Sequence, residues 1–122
     1  MDTRAVGDQL VSLCREGKNL EAVEKLYSPD IVSVEPMEMP NMPAKQQGIE
    51  AIRGKNEWWF SHNEVHSGKA DGPFVNGDGF AVQFEFDVTA KDGERAGQRN
   101  TFREIALYTV KDGKIVREEF YY

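Results

Sequence analysis

Apolar residues recur at helical spacing through the first quarter of the chain. Val6, Leu10, Leu13 and Cys14 stand at i, i+4, i+7 and i+8 and so share one helix face. Gly17 interrupts. Asn19 is a ready N-cap for a second short helix whose apolar face is Leu20, Val23, Leu26 and Tyr27. Pro29 forbids continuation, which predicts an end near Tyr27. Ile31, Val32 and Val34 then predict a short strand closing at Glu35. Residues 36–47 hold Pro36, Pro40 and Pro43 beside Met37, Met39 and Met42. Proline at that density predicts a loop, and a loop this apolar must cover something or face a pocket. A third helix is predicted from Gly48 to Phe60, with Ile49, Ile52, Trp59 and Phe60 on one face and Trp58 nearly opposite.

The rest of the chain reads as sheet. Residues 64–70 give a weak strand signal, and Gly72-Pro73 marks a break. Asn76-Gly77 and Asp78-Gly79 are turn dipeptides. Phe80, Val82, Phe84, Phe86 and Val88 then alternate with polar or small residues, the pattern of a long strand. Lys91 to Gly97 is a glycine-containing connection, and Thr101 to Val110 is a second long strand. Asp112-Gly113 is a hairpin turn leading into a closing strand from Ile115 to Tyr122. Helices in front and strands behind predict an α+β class rather than a βαβ winding, and residues 1–122 read as one domain.

A two-residue turn at Asp112-Gly113 sets a register. Tyr108 then faces Arg117, Ala106 faces Glu119 and Glu104 faces Tyr121. One sheet face would carry Glu104, Tyr108, Glu119 and Tyr121, which mixes rings with carboxyls as a ligand cavity does. A carboxyl buried against rings has a raised pKa and suits general acid–base work. Glu104 and Glu119 are the candidate bases, with Tyr108 beside them. An ion pair of Arg117 with Glu119 or Glu104 is the plainer alternative. Glu35, at a strand end before the methionine loop, is placed at a pocket mouth. Trp59, His62, Phe84 and Tyr121 complete the candidate ligand contacts. Both faces are partly apolar, and the helices of so small a domain cover only one. A second copy is therefore expected on the outer face.

Charge narrows the partners. The formal net charge of −6 argues against nucleic acid and anionic membrane surfaces. With no secretory leader pattern and no apolar run of bilayer length, the expected location is the cytoplasm. The one cysteine, Cys14, allows no internal disulfide, and it sits on an apolar stripe. No phosphate-binding, dinucleotide or metal-ligand motif is present, so no cofactor and no metal are expected.

Three stretches carry a resemblance. They are Tyr27-Ser-Pro-Asp-Ile-Val32, Gly48-Ile-Glu-Ala-Ile52, and the hairpin from Tyr108 through Asp112-Gly-Lys-Ile115 to Tyr122. Together they resemble the nuclear transport factor 2-like superfamily, in particular its SnoaL-like (polyketide cyclase-like) domains. The resemblance implies a cone-shaped, curved antiparallel sheet packed against three N-terminal helices. It also implies chemistry without a metal, as in cyclases, isomerases and dehydratases, or plain ligand binding. It places the closing-strand acid of the family's enzymes at Glu119. Epoxide hydrolases of the superfamily pair an arginine with an aspartate. Asp87 matches the aspartate, but Glu85 stands where the arginine would be, which speaks against that reaction. The expected function is a pocket for a small, largely apolar molecule, as an isomerase or cyclase with a carboxylate base or as a non-catalytic binding or dimerisation module.

Overall fold

A computed structural model describes residues 1–39 and 42–122. Three helices precede most of the sheet: α1 (Thr3–Arg15), α2 (Asn19–Leu26) and α3 (Ile49–His62). The strands are β1 (Tyr27–Val34), β2 (Lys45–Gln47), β3 (Asn63–Asn76), β4 (Gly79–Ala90), β5 (Arg99–Lys111) and β6 (Lys114–Tyr121). They form one curved, unclosed sheet in the order β2-β1-β6-β5-β4-β3. The architecture is α+β, with one departure from the expected antiparallel sheet: β1 runs parallel to β6.

Local chemistry explains the element ends. The Asp2 carboxylate accepts from the Ala5 N–H at 2.8 Å and caps α1. Its buried face, Val6, Leu10 and Val11, joins Val23 and Leu26 of α2, Ile52 of α3 and Phe80, Val82, Ala106 and Ile115 of the sheet in one core. Gly7 lets α1 approach β3 closely, since a Cβ there would lie 2.8 Å from the Pro73 ring.

Four details differ from the sequence reading. Gly72-Pro73 does not end a strand; β3 runs through it with a register shift between Asp71 and Phe74. An edge strand tolerates a residue without an N–H. The methionine loop ends in a strand, β2, against β1. Pro40, counted in that loop, lies outside the described residues. Helix α3 continues two residues past Phe60, to His62.

The fourth difference moves the candidate site. Val110 pairs with Ile115 as the turn requires, but Thr109 then pairs with Arg117, leaving Val116 as an extra residue. Beyond this bulge Tyr108 faces Glu118, Leu107 faces Glu119 and Ile105 faces Tyr121. A slip of one residue turns every later side chain to the other face. Glu118 and Phe120 therefore point inward, while Arg117, Glu119 and Tyr121 point outward.

Among the described residues, no helix is long and apolar enough to cross a membrane.

Candidate functional site

Between the helices and the concave face of the sheet lies a cavity of about 380 Å³, within the range that holds small ligands. Its walls are mostly rings. Trp59 of α3 stands 5.4 Å from Phe86 and 6.0 Å from Phe102, centre to centre. Phe84 stacks on Phe86 at 6.0 Å. Met39 and Met42 of the loop close another side, as expected of an apolar loop.

Polar groups gather from four elements. Alternation along β1 turns Ser33 inward, opposite Glu118 of the parallel β6, and carries Glu35 to the strand's end. Ser33 Oγ donates to Glu118 Oε1 at 2.9 Å, and Tyr27 Oη donates to Glu118 Oε2. Glu118 is only 1% exposed. Burial pushes its pKa up, and Lys55 and the two hydroxyl donors pull the other way. Lys55 comes from α3, three residues after Ile52 and four before Trp59, hence on the helix's inner stripe. Its Nζ donates to Ser33 Oγ and Glu35 Oε1, both at 2.8 Å. It also sits 4.7 Å from the centre of the Phe120 ring. Tyr122 Oη donates to Glu35 Oε2 at 3.0 Å.

Glu104 of β5 differs from these carboxyls. It lines the cavity without a hydrogen bond from any described residue. Burial, reinforced by Glu35 and opposed by Lys55, pushes its pKa up from 4.5 to about 7. Tyr108 lies four residues further along β5 on the same face, stacked on Phe80 at 4.8 Å, and burial holds its hydroxyl protonated. Burial also pushes the thiol of Cys14, another lining residue, up to about 12, so it stays a thiol.

The structure thus brings together Glu104, Tyr108, Glu35, Trp59 and Phe84 from the sequence candidates. It does not bring in three others. Glu119 and Tyr121 lie on the outer face because of the bulge. Arg117 Nε donates to Glu119 at 2.8 Å, and Tyr121 Oη donates to it at 2.9 Å. These bonds, that of Arg117 first, hold the Glu119 carboxyl below its ordinary range, the opposite of a neutral-pH base. His62, at the C-terminal end of α3, stacks on Trp58 at 4.4 Å, with its Nδ1 2.7 Å from the Trp58 carbonyl oxygen. Asp87 also lies outside, paired with Arg99 at 2.9 and 3.0 Å.

Sequence reasoning missed Glu118, Lys55, Ser33 and Tyr27. Two signals point to them. Ile115 and Phe120 are both apolar but have opposite strand parity, so one residue between them must be extra. A lysine between Ile52 and Trp59 at helical spacing belongs to the inner stripe.

Residues 1–122 match the SnoaL-like domain. The chain belongs to the SnoaL-like family. Among solved structures, this SnoaL-like chain is similar to a protein from Mesorhizobium loti provisionally named a SnoaL-like polyketide cyclase, with carbohydrate phosphatase added in the same name. The two are 46% identical over 100% of both chains, with a TM-score of 0.91. A protein of unknown function with a cystatin-like fold from Xanthomonas campestris shares 18% identity, with 99% of this chain and 90% of that one covered and a TM-score of 0.77. A provisionally named polyketide cyclase from Pseudomonas putida shares 18% identity over 100% of this chain and 92% of that one, with a TM-score of 0.74. At 18% identity, these last two show the fold alone. No curated protein matches the chain.

Proposed function

We propose that the cavity takes a small, largely apolar carbonyl compound. Glu104 removes a proton from the carbon beside the carbonyl and returns it, the chemistry of a cofactor-free isomerase or cyclase. One observation carries this reading: a carboxyl without a hydrogen-bonding partner among the described residues faces an aromatic cavity, with its pKa raised to about 7. A base is most effective when its pKa lies near the working pH. The rings supply the apolar contact, and the Tyr108 hydroxyl and Lys55 ammonium are the nearby donors for the oxygen that gains charge.

Glu104→Gln keeps the shape and removes the base. Exchange of α-hydrogens for deuterium in a bound aryl ketone, followed by NMR, should fall by roughly 10²–10⁴-fold, with a melting temperature no lower than that of wild type. Wild-type exchange should rise with pH through about 7, as Glu104 ionises. Undiminished exchange in the variant removes Glu104 from the chemistry. The second reading is a non-catalytic binding module, favoured by the full hydrogen bonding of Glu118 and Glu35. It predicts that aryl ketones raise the melting temperature while no exchange occurs.

A further inference from the structure

Glu104 shares the cavity with a primary amine. Lys55 lines it from α3, its side chain only 14% exposed. Its Nζ is fixed by Glu35 Oε1 and Ser33 Oγ at 2.8 Å each, with Glu118 Oε1 at 3.9 Å and the Phe120 ring beneath. An ammonium has three N–H donors, and these two short bonds occupy two of them. The third has no hydrogen-bonding partner among the described residues and is open to a guest's oxygen. Lys18 and Lys25 form their ion pairs in the open, more than half exposed, without the cost of desolvation. Lys55 instead is held inside the cavity, between the Glu35 carboxylate and the face of the Phe120 ring.

We propose that Lys55 is a nucleophile whose Nζ condenses with the guest's carbonyl carbon to a protonated Schiff base, beside which Glu104 moves the proton. This rests on the carbonyl guest and the Glu104 base proposed above, and it replaces the Lys55 hydrogen bond to the guest's oxygen with a covalent bond to its carbon. Glu35 accepts one proton from the Lys55 ammonium across their 2.8 Å bond. The freed lone pair attacks the carbonyl carbon, a C–N bond forms, and the π pair moves to oxygen. The proton held by Glu35 and a second from nitrogen pass to that oxygen, which leaves as water. Nitrogen has then lost two hydrogens, keeps one, and bears the positive charge the ammonium carried. The iminium acidifies the neighbouring C–H, whose proton passes to Glu104 and leaves a neutral enamine. Return of the proton to carbon and addition of water release the carbonyl product and Lys55. No oxidant or reductant takes part.

Trapping tests this. The whole protein is incubated with 4-phenylbutan-2-one and sodium cyanoborohydride, then mapped by peptide mass spectrometry. Lys55 should gain the mass of the ketone less one oxygen atom. The gain should exceed that at exposed lysines by roughly tenfold or more, as for a nucleophile held against its bound carbonyl. Lys55→Arg keeps the charge beside Glu35 but forms no Schiff base, so it should lose both the label and α-deuterium exchange. Glu104→Gln should keep the label and lose exchange. If Lys55 stays unlabelled while wild type and Lys55→Arg exchange alike, the Schiff base is overturned and the Glu104 base stands. If Lys55 is labelled and Glu104→Gln exchanges undiminished, Lys55 stands and the base falls. Labelling spread evenly over exposed lysines also overturns the role of Lys55. The wild-type map decides this whether or not the arginine variant folds.

Discussion

Two carboxyls enter the same cavity in different surroundings. Glu118 is held by Tyr27 and Ser33, whereas Glu104 faces the rings without a hydrogen-bonding partner among the described residues. The Glu104 shift has a measurable consequence for stability. The ordinary value is 4.5 and the folded value about 7, so the carboxyl is protonated in both states in acid. As pH rises through the ordinary value, the unfolded chain ionises first. The folded state then loses stability until Glu104 itself ionises near 7, and the loss levels off above that. A shift of this size corresponds to roughly 2–3 kcal/mol after a discount for partial exposure. Glu118, also shifted up, acts in the same direction. In urea denaturation Glu104→Gln should therefore be more stable than wild type by about 2–3 kcal/mol above pH 8, and nearly equal to it at about pH 4. Equal stability of the two proteins at the higher pH would contradict the burial of this group.

At the scale of elements, most of the architecture is readable because period 3.6 gives way to period 2 along the chain. The cavity wall is readable for the same reason: Trp59 and Phe84 fall on inward faces by period alone. Glu118 is not, because counting back from a two-residue turn assumes strict pairing, and Val116 breaks it. A bulge leaves only a parity change between Ile115 and Phe120, easily taken for an ordinary amphipathic strand. Strand β2 is hidden by its composition, Lys45-Gln-Gln47, which has no β-branched residue and pairs only because β1 offers an edge. The approach of α1 to β3 is hidden too, since nothing in the sequence marks Gly7, inside the first helix, as a packing requirement. Gly7→Ala places a methyl 2.8 Å from Pro73 Cβ and 3.3 Å from the Phe80 ring. A proline ring, closed onto its own backbone nitrogen, has no side-chain rotation by which to swing aside. Despite alanine's better helix propensity, the variant should lose about 1–3 kcal/mol in chemical denaturation. A gain in stability would show that α1 shifts freely on the sheet.

For the molecule as a whole, the curved sheet has two faces with different fates. The concave face is covered by helices and encloses the cavity. The outer face carries Ile105, Leu107 and Tyr121 at 38%, 42% and 49% exposure, across adjacent strands of the sheet. Around this apolar patch stand Arg103 and Arg117 with Glu85 and Glu119, charges of both signs. A two-fold axis through such a patch would set the arginines of one copy against the glutamates of the other while the apolar residues meet at the centre. A second copy of this chain is therefore the expected occupant, and light scattering after size exclusion should give a dimer. Leu107→Asp puts a charge at the centre of the patch, where desolvation is most complete and like charges would meet. It should shift the mass to that of a monomer and leave the cavity, on the other side of the sheet, able to bind an aryl ketone. A monomeric wild type at micromolar concentration would rule out this assembly. A Leu107→Asp dimer would place the contact on another surface.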